Sequence, residues 1–208
     1  MAGEAFLIIS REAVFGQFPQ EWRSEAVNRS LGRLSNEVGR WFERVVEDNC
    51  RTIGFVGRRS AKERLGEGPA RIEIPQDIGE IDLIAYSQRE ELLLILECKL
   101  VRYSFEARYF RNDISDFALA RRSYAEKFRR KVGWVRDNLE ELCRAMASQE
   151  PLRGVRVAPD RIACAMITLY PTMATCFIND MPCVSLAELM IDYGSMNRWP
   201  YEVGMWRV

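Results

Sequence analysis

The chain contains no histidine. That removes Ser-His-Asp and Cys-His catalysis, imidazole–metal sites and the H-E-x-x-H zinc proteases. Acid–base or metal chemistry must then come from carboxylates, lysine, tyrosine or cysteine. Net charge is missing too: 30 basic side chains balance 30 acidic ones. No global field draws the chain to nucleic acid or to a membrane surface, so any such affinity has to arise from local clustering. No C-x-x-C pair occurs among Cys50, Cys98, Cys143, Cys164, Cys176 and Cys183, which disfavours a zinc ribbon or a thioredoxin-type motif. Most of these thiols sit in apolar stretches (ILECKL, RIACAMI, ATCFI), as small buried cysteines of a reducing compartment do. No apolar run approaches the length of about 18 residues that a spanning helix needs, and the N-terminus lacks the layout of a signal peptide. A soluble, cytoplasmic protein without a membrane partner is expected.

What is present is enough for a packed core. Of 208 residues 48% are apolar and 29% charged, which fits one large domain or two small ones and excludes disorder as the main state. Residues 1–30 show no clean period and read as a capping segment or as the stub of a longer chain. Leu31, Leu34, Val38, Trp41, Phe42, Val45 and Val46 recur at threes and fours, which predicts an amphipathic helix over 31–49. The glycine- and charge-rich stretch 57–68 reads as an exposed loop. Strands are expected at 70–74, 80–86 and 92–100, the last carrying a solid LLLIL run suited to burial on both faces. A long helix is expected over 112–148, with Phe117, Tyr124, Phe128, Val132, Val135, Leu139, Leu142 and Met146 along one side. Two more strands follow at 161–169 and 174–178. Ser185 and Glu188 are spaced as a capping box opening a helix over 186–192. The order predicts an α/β domain with a mixed central β-sheet flanked by helices.

The chemistry concentrates in 79–100. Alternation along a strand turns Ile81, Leu83 and Ala85 one way and Glu80 and Asp82 the other. On the next strand Glu97 and Lys99 share a face, with Cys98 opposite. An acid and a lysine closing an otherwise apolar strand are costly to bury without partners. A salt bridge at the strand end, Glu97–Lys99 or Asp82–Lys99, is one reading. The other places a hard divalent cation between the carboxylates of Asp82 and Glu97, since Mg²⁺ takes oxygen ligands and keeps waters that a phosphate can replace.

Gly79-Glu80-Ile81-Asp82, the apolar strand and Glu97-Cys98-Lys99 together resemble the PD-(D/E)xK nuclease superfamily. Upstream, Gly39-Arg40-Trp41-Phe42-Glu43 is similar to the G-x-x-F-E pattern that opens many of its members. The proline that names the motif is absent, Ile81 standing before Asp82. The resemblance implies a restriction-endonuclease-like core over 31–208, with Asp82 and Glu97 as ligands of Mg²⁺ or Mn²⁺. Glu43 would complete the metal site, with Glu37, Glu47 and Glu80 as rivals for that role, and Gly39 one turn earlier would let the sheet approach. The main-chain carbonyl of Cys98 would add a ligand, and Lys99 would orient or help deprotonate the attacking water. Nucleic-acid phosphodiester hydrolysis follows, most readily of DNA, in a defence, restriction or repair setting. A silent DNA-binding or assembly module, or an RNA-directed nuclease, are the alternatives, and a homodimer or a partner subunit is compatible with all three.

The segment 101–136 carries ten cations against Glu106, Asp113, Asp116 and Glu126, with Tyr103, Phe105, Tyr109 and Phe110 interleaved. Arg108, Arg111, Arg122, Arg129, Arg130 and Arg136 are its candidate phosphate contacts. On a continuous helix Arg122, Arg129 and Arg136 would form one stripe about 21 Å long, roughly six nucleotide steps. Ordinary ion pairs with Glu126 and Glu140 are the plainer reading of the same residues.

Overall fold

The computed structural model describes Ala13 and residues 20–102, 107–201 and 206–207. Most of the 1–30 segment, and Tyr103, Phe105 and Glu106, therefore lie outside the described residues. Helix α1, Glu25–Thr52, begins earlier than the apolar spacing predicts because Ser24 caps it, its side chain accepting the Val27 N–H. It ends at Thr52, and the chain turns away two residues on at Gly54, whose φ of +89° suits glycine. Leu31, Phe42, Val46 and Cys50 are its buried positions. Trp41 is 45% exposed and does not belong to the packed stripe, since it sits about 100° around the helix from Phe42.

Strand β1, Val56–Ala61, occupies the stretch expected to be a loop. Its pairing is carried by the backbone: it runs antiparallel to β4, Ile81–Ser87, with Gly57 opposite Ala85 and Arg59 opposite Leu83. A Cβ at Gly57 would lie 2.0 Å from the Ile84 carbonyl oxygen, so the close approach requires glycine. As the edge of the sheet, β1 can carry arginines that a central strand would exclude. Short strands β2, Arg64–Leu65, and β3, Ile72–Glu73, form a separate two-stranded ribbon.

Strand β5, Leu92–Lys99, pairs antiparallel with β4 and parallel with β6, Arg161–Thr168. β7, Cys183–Ser185, extends the sheet beyond β6, and β8, Trp206–Arg207, also pairs with β6. The stretch expected as a strand at 174–178 is instead a 3₁₀ turn, Met173–Phe177, which Thr172 caps by accepting the Ala174 N–H.

The crossover from β5 to β6 is helical but broken more than once. α2, Ala107–Ile114, runs into a wide π turn, Ser115–Leu119. α3, Tyr124–Asp137, starts afresh at Ser123, whose hydroxyl accepts the Glu126 N–H. α4, Leu139–Ala147, follows a break at Asn138. The expected apolar side survives these breaks: Phe117, Phe128, Val132, Val135, Leu142 and Met146 are buried against Ile84, Tyr86, Leu93 and Ile95. The other sheet face, through Leu83, Ala85, Leu94 and Leu96, packs on Phe42 and Val46 of α1 and on Leu189 of α5, Leu186–Met196. Ser185 and Glu188 make the expected capping box, and α5 runs on to Met196 before Asn197 turns left-handed.

The result is an α/β arrangement, a mixed sheet with helices on both faces. No described helix is long and apolar enough to cross a membrane. All six cysteines are free; Cys50, Cys98, Cys164 and Cys183 are buried, whereas Cys176, expected in apolar surroundings, is exposed on the 3₁₀ turn. Burial pushes the thiols of Cys50, Cys164 and Cys183 up to about 12, which suits inert packing groups rather than nucleophiles.

Candidate active site

The site forms where β4 and β5 part. Their ladder runs from Ser87 opposite Leu92 to Leu83 opposite Leu96. One further step would set Asp82 against Glu97. Instead the Asp82 carboxylate takes over the backbone's role, Oδ2 accepting the Cys98 N–H at 2.7 Å. Asp82 shares the face of Ile84 and Tyr86, and Glu97 that of Leu93 and Ile95, so both carboxylates point towards α3. They are 8% and 3% exposed. Cys98 turns the other way, into the cluster around Phe42 and Val46.

Two lysines converge on Glu97. Lys99 Nζ lies 2.7 Å from Oε1 and Lys131 Nζ 2.6 Å from Oε2. Lys131 comes from α3 and was not among the candidate site residues expected from the sequence. Its signal was available: Phe128, Lys131, Val132 and Val135 fall at i, i+3, i+4 and i+7, which puts a lysine inside the apolar stripe. Counted with the cations around it, it passes for a surface residue, yet it is 7% exposed. Lys99 also lies over the Tyr124 ring, 5.1 Å from its centroid.

The electrostatics of the four groups are unequal. Burial first, and then the neighbouring Glu97, push the Asp82 carboxyl up to about 7, although Lys99, Lys131 and the Cys98 N–H all pull it down. Burial alone would lower the Lys99 ammonium; Glu97 and Asp82 more than reverse this and hold it above its ordinary range. Burial and Glu97 thus disfavour the charged form of Asp82. Asp82, Glu97 and the adjoining Cys98 carbonyl are hard oxygen donors of the kind a divalent cation takes.

Glu43 approaches from the α1 side. Its carboxylate lies 3.8 Å from the Arg59 guanidinium and, after burial and Asp82, contributes to raising the Cys98 thiol. Arg59 also holds Glu47 at 3.0 Å. Both glutamates are thus engaged by β1, on the sheet face opposite Asp82 and Glu97. Glu37 is exposed on α1, and Glu80 is half-buried just ahead of β4. Among the described residues no three or more acidic or cysteine side chains are gathered to hold a metal. The close sheet approach expected at Gly39 is absent: a Cβ there would meet nothing within 4 Å.

The candidate phosphate contacts are dispersed. Arg122 lies in the turn ahead of α3, so the continuous stripe with Arg129 and Arg136 does not form. Arg129 is taken up by Asp180, at 2.5 and 2.7 Å, rather than by Glu126 or Glu140. Arg130 and Arg136 are exposed on α3, and Arg108 and Arg111 on α2. Arg108 and Arg102 both stack on Tyr109, at 4.7 and 4.0 Å from its centroid. Compared with protein-family models, with curated proteins and with solved structures, the chain finds no match in any of the three.

Proposed function

We propose that this protein is a divalent-metal-dependent nuclease of the PD-(D/E)xK type, hydrolysing phosphodiester bonds in nucleic acid, DNA above all. The observation that carries the reading is the meeting of Asp82, Glu97 and Lys99 on one sheet face, at the point where β4 and β5 separate. The order of elements also supports a restriction-endonuclease-like core: α1, an antiparallel β1–β4–β5 set, a helical crossover and a parallel β6.

Asp82 and Glu97 would hold the cation, Mg²⁺ or Mn²⁺. When bound, the ion supplies a coordinated water of lowered pKa and offsets charge on the phosphoryl oxygens. Lys99 has the most exposed side chain of the four groups, at 24%, and would meet the phosphate. Held above its ordinary range, its ammonium stays charged at neutral pH. Its role is then to orient water and stabilise developing negative charge, not to accept a proton. Asp82 fixes the local geometry through Cys98, so the same carboxylate that would bind the ion also ties together the two strand ends.

Incubation of the purified protein with supercoiled plasmid tests the reading. Nicked or linear product is expected with Mg²⁺ or Mn²⁺, and none with a chelator or in Asp82→Ala. Parallel digests of RNA separate the DNA- and RNA-directed alternatives. A silent DNA-binding or assembly module is favoured by one observation, the occupation of both Glu97 oxygens by lysines. Duplex binding with the plasmid left intact in both metals would establish that module and overturn the nuclease.

A further inference from the structure

Glu97 is gripped from two elements at once, by Lys99 from its own strand and by Lys131 from α3. A lysine buried to 7% exposure is almost never found without a counter-charge, and the counter-charge here is one of the two carboxylates read above as cation ligands. A divalent ion approaching Glu97 needs lone pairs on oxygens that already accept ammonium protons. It also meets the positive charge of those ammonium groups at close range. Lys99 is the more exposed of the pair and can swing towards solvent; Lys131, with only 9% of its side chain exposed, has less room to leave.

Resting on the reading of Asp82 and Glu97 as cation ligands, we propose that Lys131 is a positioning residue that stands on Glu97 in place of the cation and thereby sets the affinity for it. Without the ion, and with both carboxylates ionised, Asp82, Glu97, Lys99 and Lys131 form a set of zero formal charge. With the ion the set carries two surplus positive charges, which a phosphodiester anion can offset. Cation and polyanion should therefore assist one another's binding. A lysine serving only as a structural counter-ion would behave differently: its loss would weaken the fold and leave the cation affinity unchanged or lower.

Calorimetric titration of Mn²⁺ into the whole metal-free protein, without nucleic acid, separates the two roles. Lys131→Gln keeps a hydrogen-bond donor for Glu97 but no charge, and Lys131→Arg keeps the charge. Lys131→Gln should bind Mn²⁺ about tenfold more tightly than the wild type, a change of about 1.4 kcal/mol, and Lys131→Arg within about twofold of it. Lys131→Ser, small enough to admit water to Glu97 Oε2, replaces the glutamine variant if that one does not fold. Equal or weaker Mn²⁺ binding by the neutral variants overturns the role of Lys131 and leaves the cation site standing. Wild-type binding that persists unchanged in Asp82→Asn, or no binding in any variant, overturns the cation reading and this inference with it.

Discussion

The Glu97–Lys131 pair offers a sharp energetic test that does not depend on metal or substrate. Glu97 is 3% exposed and Lys131 7%, and their charged atoms are 2.6 Å apart. Replacing Lys131 by methionine keeps the stem's volume and leaves Glu97 Oε2 without a partner in a place water does not reach. Removing one member of a buried pair costs about 3–5 kcal/mol, because the survivor keeps its desolvation penalty and loses its compensation. Glu97→Met strands Lys131 in the same way and should cost a similar amount; Lys99, at 24% side-chain exposure, can partly rehydrate and adds less. The double variant removes both charges, leaving Lys99 beside Asp82. It should be less destabilised than the two single effects summed by about 2 kcal/mol or more, well outside the few tenths of a kcal/mol by which independent sites deviate from additivity. Urea unfolding of the four metal-free proteins at neutral pH, with a constant m-value, measures the cycle. Additivity within about 0.5 kcal/mol would mean that the two side chains do not share a buried ion pair, and the description of the site would be wrong.

Three further outcomes follow from the same structure. Lys99→Ala should lose turnover yet keep Mn²⁺ binding, whereas Asp82→Ala should lose both; equal loss of metal in the two variants, read by calorimetry, would contradict the assigned roles. Gly57→Ala should destabilise by roughly 3 kcal/mol, since its Cβ would press on backbone at 2.0 Å, while Gly39→Ala, in open space on α1, should stabilise by about 0.5–1 kcal/mol; thermal unfolding gives both signs. Arg130→Ala should lower the log–log salt slope of duplex binding by about 0.9, and Arg129→Ala by much less because Asp180 already holds that guanidinium; equal slopes would return α3 to an ordinary solvated face.

The parts of this protein that the sequence made legible are those whose side chains report their surroundings directly. The run Leu92–Leu96 is buried on both faces because helices cover each side of the sheet, Leu93 and Ile95 packing with Phe128 and Val132 and Leu94 and Leu96 with Phe42 and Val46, and its unbroken apolar character announces this. The alternation that sets Asp82, Glu97 and Lys99 on one face has the same origin, a period of two fixed by the pleat. Ser185 and Glu188 announce a helix start because the capping box is a local bargain between neighbouring atoms. Strand β1 gave no such signal. Its hold on β4 is made of main-chain bonds, its arginines are tolerated at an edge, and the glycine that makes the approach possible reads locally as loop chemistry. The stretch 174–178 failed for the opposite reason: its composition suits a strand, but the capping bond at Thr172 and the arrival of β7 at the sheet leave it as a 3₁₀ turn.

Lys131 shows where reading by charge count goes astray. Among the ten cations of 101–136 it is indistinguishable by type, and only its phase on the helix separates it from its neighbours. Arg129, Arg130 and Lys131 are consecutive, and about 100° of rotation per residue sends them to three destinations: an ion pair with Asp180, open solvent, and the buried carboxylate of Glu97. Ser123 restarts the helix after the π turn and puts Arg122 outside it. The burial of Phe128, Val132 and Val135 on the same side of α3 is what turns Lys131 towards the site. A lysine at an apolar phase, one turn from a phenylalanine and next to a valine, is therefore the more informative signal in this segment. It marks where a buried negative charge must lie, and Glu97, closing an apolar strand elsewhere in the chain, is the charge that answers it.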